Sequence, residues 1–274
     1  MGFSSFWKAV SLALALLLVF AEVAMAGMLD EIKARGELVV GVKADDPPFG
    51  YRDRSGAIIG METDLAKDLA SRLGVKFEPF AVDATSRLQF LELGKIDLVL
   101  ATMAVTDDRR RHAGIIEPFY YASRIAVLAP KRLAIKATKD LLGKPICTIL
   151  HAEYNDGLRS RAPGLMLVDV RSVAAGAAAI RDHRCVAFVQ ENVRLLYLKK
   201  EGGAEWADYD VVPLDFPPQP WAIAVRPADK DAPLGQFLSQ TVTDWHRSGK
   251  LLALEKQWLG VNTDWLIEMH DKLK

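Results

Sequence analysis

The sequence predicts an α/β protein built in two units. Three observations carry that prediction. Short apolar runs of strand length alternate with segments whose apolar residues recur at helical spacing, the pattern of a mainly parallel sheet. A second series of the same kind starts near Ser123. A proline-rich stretch containing Pro213, Pro217, Pro218 and Pro220 then separates that series from the C-terminal part, and such a stretch resists helix and central-strand pairing, so it reads as a connector.

Residues 1–26 come first and stand apart from the fold. Lys8 precedes an apolar run from Ala9 to Phe20, and Ala24-Met25-Ala26 closes the segment. This is the layout of a secretory signal peptide cleaved after Ala26, leaving Gly27 as the mature N-terminus of an exported protein. The apolar run falls short of the roughly 20 residues that a membrane span needs. No cysteine stands directly after the cleavage site, where Gly27 lies, so no lipid anchor is expected, and no later apolar run is long enough to cross a bilayer. The mature length suits two modest domains or one large one.

Taken in order, residues 28–35 form a short amphipathic start and residues 38–42 a buried strand. Residues 43–60 read as a loop. From Thr63, the residues Leu65, Ala66, Leu69, Ala70 and Leu73 trace one helical face, with Gly74 at the C-cap position. Residues 75–82 read as a strand, 87–93 as a helix and 96–103 as another buried strand. The second series places strands at 123–129, 144–150, 165–168 and 185–189. After the connector come a short strand at 221–225 and two helices. Leu234, Phe237, Leu238, Thr241, Val242 and Trp245 form the apolar face of the first, and Leu251, Leu254 and Trp258 that of the second. No internal repeat or low-complexity tract interrupts this order.

Composition narrows the function. Half of the residues are hydrophobic, and 35 basic side chains balance 35 acidic ones. Such a chain can build a full core and has no net field that would attract nucleic acid or anionic lipid. The two cysteines, Cys147 and Cys185, are an even count in an exported chain and are expected to pair. The five histidines show no metal-ligand spacing, and no glycine-rich phosphate loop, nucleophile elbow or partnered cysteine nucleophile is present. Neither a metal nor a cofactor is expected.

The string LVVGVKADDPPFGYRDRSGAIIGMETDLAKDLASRL at residues 38–73 resembles the opening of the family 3 bacterial extracellular solute-binding proteins. The likeness continues through Leu93-Gly94-Lys95-Ile96-Asp97, Thr106-Asp107-Asp108-Arg109, Pro118-Phe119-Tyr120 and Leu141-Leu142-Gly143-Lys144. It resumes at residues 186–192 and ends at Lys256-Gln257-Trp258-Leu259-Gly260. The resemblance implies a two-lobed periplasmic-binding-protein fold of type II, with the ligand cleft between lobes joined by two crossing segments. It puts those segments near 119–123 and 217–221, making lobe one discontinuous, 27–120 plus 222–274, and lobe two 121–221. It further implies a monomer that binds a small carboxylate-bearing solute, a polar amino acid or derivative, and delivers it to an ABC transporter permease in the inner membrane.

The same likeness implies site residues. Arg109 matches the arginine whose planar guanidinium forks onto the ligand carboxylate, and Thr106 caps the start of its helix. By residue type alone, Arg109 to Arg111 would read as a solvated basic face. Asp45 and Asp46 precede Pro47-Pro48-Phe49 in the loop that lines the cleft, so Asp46 and Phe49 join the candidates. Glu191 stands where relatives carry an aspartate that pairs with the ligand's amino group.

The chain also departs from the family. Ala84 and Ala104 replace positions where relatives carry an aromatic ring and a hydroxyl. At 149–154 a Gly-Thr-type turn is replaced by a sequence in which His151 and Tyr154 are the polar substitutes. Asp46 and Glu191 together favour a solute with a cationic portion as well as a carboxylate, ahead of phenylalanine, leucine or a dicarboxylate. Two other readings remain: a periplasmic enzyme on the same scaffold, such as a cyclohexadienyl dehydratase using Glu153 or Asp156 as its acid, and a sensor or accessory module.

Overall fold

The computed structural model describes residues 27–274. The signal peptide and its cleavage after Ala26 lie outside the described residues. Among those residues, no helix is long and apolar enough to cross a membrane.

Two five-stranded sheets form two lobes. In the first, β1 (Glu37–Val42) runs parallel to β5 (Lys76–Ala81) and to β6 (Leu98–Val99), and β7 (Gly114–Ile115) and β15 (Ala224–Val225) complete it. In the second, β10 (Pro145–Ile149) runs parallel to β11 (Met166–Val170) and β12 (Ala187–Glu191), and β9 (Ile125–Pro130) lies antiparallel between β12 and β13 (Tyr209–Pro213). Because β15 returns to the first sheet after the whole second sheet has been built, the chain crosses between lobes twice. The crossing segments, β8 (Tyr121–Ser123) and β14 (Gln219–Trp221), pair antiparallel. A two-stranded ribbon has only edge strands, and that is where Pro220 is tolerated inside one.

Local sequence explains most of the elements. Helix α1 (Met28–Arg35) and α2 (Met61–Leu73) end on Gly36 and Gly74, both left-handed, a conformation that glycine adopts without steric cost. Leu65, Ala66 and Leu69 of α2 are wholly buried against Leu38 and Val40 of β1, in a core that includes Trp245. Each fully buried leucine of this kind stabilises by about 1.5–3 kcal/mol. Helix α3 (Arg87–Glu92) covers β1 and β6, and α4 (Asp107–His112) carries Arg109. The second lobe packs α5 (Tyr154–Arg161), α6 (Val173–Arg181) and α7 (Asn192–Gly202) around its sheet, with Leu128, Cys147, Phe188 and Trp206 in its core. The C-terminal helices are α8 (Pro233–Arg247), α9 (Lys250–Leu259) and α10 (Asp264–Leu273).

Several sequence expectations are corrected. The loop at 43–60 contains a small antiparallel sheet of β2 (Asp45–Asp46), β3 (Gly50–Arg52) and β4 (Ile58–Ile59), whose strands are too short to show a period. The strand expected at 96–103 pairs in the sheet only at Leu98–Val99, and Thr102 then turns the chain away with φ 44°. The run at 123–129 breaks at Arg124 into a hinge strand and a lobe-two strand. The strand expected at 185–189 lies two residues later, so Cys185 precedes it. A third C-terminal helix, α10, was not anticipated. The pairing of Cys147 with Cys185 is borne out, with the two Cα atoms 5.6 Å apart, inside the range a disulfide spans.

Candidate functional site

The crevice between the lobes is bordered by loops that follow strands, the usual place for ligands on open α/β sheets. The loop after β1 carries Asp46, the turn after β6 carries Thr102 and Ala104, and β12 ends at Glu191 as α7 begins. The hinge behind the crevice is aromatic. The Phe49 ring meets Trp221 edge-on at 4.8 Å between centroids and Tyr121 at 5.6 Å. All three side chains are buried. Phe49, expected to line the cleft, is therefore part of the hinge core, because an apolar ring gains more from burial here than from solvent contact.

Asp46 and Glu191 come together, but through a residue that the sequence reading did not single out. Arg194, on the first turn of α7, reaches across the crevice and places Nη2 2.8 Å from Asp46 Oδ2. Its Nη1 pairs with the Glu191 carboxylate three residues earlier. Glu191 Oε1 also accepts from Ser123 Oγ of the hinge at 2.9 Å, and Asp46 Oδ2 accepts from Thr102 Oγ1 at 3.3 Å. The two acids expected to stand open for a ligand cation are thus already paired with one guanidinium. Asp45 turns aside to Lys43, 2.8 Å away.

Arg109 lies in lobe one, on the short helix α4. Its backbone N–H donates to Thr106 Oγ1 at 3.2 Å, the capping bond expected at the start of α4, and its Nη1 donates to the Ala104 carbonyl at 2.6 Å. Ala104 bridges to Trp221 of the second crossing segment. The guanidinium is therefore held by backbone at the hinge and keeps further donors for another acceptor. Ala84 is exposed in a turn gathered by the Asp83 carboxylate. His151 does not join this group. It takes a left-handed φ of 59° at an exposed turn beside a 360 Å³ cavity lined by residues 150–169 of lobe two alone. The turn is pinned beneath by Asn155, whose Nδ2 donates to the Ile149 carbonyl at 2.9 Å.

Beneath the crevice floor lies a buried polar cluster that sequence reasoning also missed. Glu62, at the start of α2, accepts from Thr102 N–H at 2.7 Å and from the Tyr120 hydroxyl. Burial raises its pKa to about 7. Arg87 donates to the Ala101 carbonyl at 2.5 Å, and burial, reinforced by the positive charge of Arg109, lowers its pKa to about 10. An acid in a helix's first turn is usually a surface partner for the helix dipole, so only the three-dimensional structure distinguishes Glu62. Glu191 and Arg194 at i,i+3 were, by contrast, a legible pair.

Glu62 predicts a pH dependence of stability. Its folded pKa lies above its unfolded value near 4.5. Between those values the folded state holds the extra proton, so this contribution is full below about 4.5 and is lost as pH rises to about 7. It is expected to amount to at most about 3 kcal/mol. Denaturant unfolding of wild type and Glu62→Gln at pH 5 to 8 measures it. The wild type should lose stability relative to the variant as pH rises, and parallel curves would show that Glu62 does not titrate there.

The sequence profile of the bacterial extracellular solute-binding proteins, family 3, matches residues 38–261. The L-cystine-binding protein of Escherichia coli strain K12 is 28% identical over 241 residues, covering 86% of this chain and 87% of that protein. Among solved structures, an ancestral cationic amino acid solute-binding protein superposes with a TM-score of 0.77 at 26% identity, covering 85% of this chain and all of the other. A second structure of that ancestral protein, described as a precursor of cyclohexadienyl dehydratase, superposes with a TM-score of 0.65 at the same identity and the same 85% coverage.

Proposed function

We propose, from the premise that this chain belongs to the family 3 bacterial extracellular solute-binding proteins, that it is the periplasmic amino-acid-binding component of an ABC importer. It holds one small carboxylate-bearing solute between its lobes, works as a monomer and hands its ligand to an inner-membrane permease. The units that close on the ligand are 27–120 with 222–274, and 121–221.

The observation that carries this reading is the placement of Arg109. Its guanidinium is tethered to the carbonyl of Ala104, which bridges to Trp221 of the hinge strand, and it keeps further N–H donors for another acceptor. Such a group supplies the planar donors that a carboxylate accepts. The relatives named above support the amino-acid class, as does the wall of charged and hydroxyl side chains in place of aromatic ones. A thermal-shift screen of amino acids, amines and small organic acids, followed by calorimetry, tests it. Stabilisation by a polar amino acid is the expected result, and a response only to solutes without a carboxylate would reject it.

The ancestral neighbour's link to a dehydratase makes catalysis the second reading. General acid catalysis needs a carboxyl within hydrogen-bond reach of an enclosed leaving group. Glu153 and Asp156, the acids of the lobe-two turn, are exposed, and Asp156 faces Arg159 at 3.6 Å. Binding is therefore favoured, and turnover of prephenate or arogenate by the purified protein would overturn that preference.

A further inference from the structure

We propose that Arg194 is a specificity-determining residue: its guanidinium occupies the place between Asp46 and Glu191 that a ligand's distal cation would take, so the cleft selects amino acids with neutral or anionic side chains over dibasic ones. This rests on the reading of the crevice as an amino-acid site and adds to it the side-chain class.

Two observations support it. Asp46 on lobe one and Glu191 on lobe two are bound by the same guanidinium, and each has a hydroxyl partner besides, from Thr102 and Ser123. Arg194, Asp46 and Glu191 are each less than a quarter exposed, so their pairing is only partly screened by water. A distal ammonium or guanidinium arriving between Asp46 and Glu191 therefore meets the charge of Arg194, where the two acids left unpaired would have attracted it.

A lysine- or arginine-like side chain that takes the place of Arg194 at Asp46 Oδ2 leaves the Arg194 guanidinium partly buried without that acid, which is unfavourable. A side-chain amide or carboxylate meets no such conflict, because a guanidinium has five N–H donors and two of its three nitrogens are the ones engaged here. The ligand's α-ammonium is unaffected in kind, since the Glu191 carboxylate has lone pairs beyond those taken by Arg194 and Ser123. The adjoining cavity of 390 Å³ between the lobes, with Asp46 and Pro47 on one side and Arg194, Tyr197 and Glu201 on the other, has room for the side chain of a ligand at this point. Selectivity then arises from a repulsive element built into the site as much as from attraction.

Calorimetric titration of the full mature chain with L-glutamine, L-glutamate, L-arginine and L-lysine tests this on wild type, Arg194→Met and Asp46→Asn. Wild type should prefer the glutamine or glutamate class over arginine and lysine by at least ten-fold. Arg194→Met keeps the apolar stem and frees both acids, and should move that ratio at least ten-fold toward arginine and lysine. Asp46→Asn leaves Arg194 with one acid fewer and should move it the other way, toward glutamate. The second variant decides the matter if the first does not fold. Tightest wild-type binding of arginine or lysine overturns the proposal, as does an equal change for all four ligands, which would make Arg194 only a tie between the lobes. If other amino acids bind but none of these four does, the amino-acid reading stands and the proposal falls. If no amino acid binds wild type or variants, the reading it rests on falls with it.

Discussion

Replacing Arg109 by alanine is expected to weaken ligand binding by about 2–5 kcal/mol, the cost of truncating one partner of a buried, hydrogen-bonded charge pair. That is a loss of roughly thirty- to several-thousand-fold in affinity. The size follows from the geometry: the guanidinium is fixed by the Ala104 carbonyl, so little conformational entropy is lost when it meets a carboxylate, and the helix that carries it is capped by Thr106. Arg111 supplies the control. It pairs with Asp108 within its own helix at 3.0 Å and is mostly exposed, and an exposed pair of this kind contributes about 0–1 kcal/mol. Arg111→Ala should leave the affinity nearly unchanged. Calorimetry on the two variants reads the contrast directly, and equally small losses would assign Arg109 to a solvated basic face.

Removing the disulfide is expected to have the largest effect on stability. Cys147 and Cys185 are 38 residues apart in sequence, and closing a loop of that length restricts the unfolded chain by about 4 kcal/mol in the chain-entropy model. The bridge ties β10 to the residues entering β12, and both cysteines are buried in the lobe-two core, so the paired sulfurs also fill space there. Cys147→Ser with Cys185→Ser should therefore lower the unfolding free energy by several kcal/mol, with the loss falling on lobe two. Native-state hydrogen exchange on the double variant would place it. Protection lost equally across both lobes would show that they unfold as one unit.

The sequence by itself determined the α/β class, the order of most strands, the glycine cap of α2, the disulfide and the proline-rich return across the hinge. Each is written in local features: apolar runs of four to six residues, glycine at left-handed helix ends, an even cysteine count in an exported chain, prolines that exclude a central strand. It also placed Arg109 and Thr106 together, because their hydrogen bond spans only three positions. What it left undecided depends on contacts between segments far apart in the chain. Nothing in the run around Asp46 announces a partner 148 residues later, and nothing in a first-turn glutamate marks Glu62 as a buried acid that receives a proton donor from Tyr120. Two free acids would have drawn a cationic ligand into the crevice. The tertiary structure supplies the cation itself in Arg194, because the field at a site is the sum of all charges that folding brings near it, and that sum cannot be read from any one stretch of sequence.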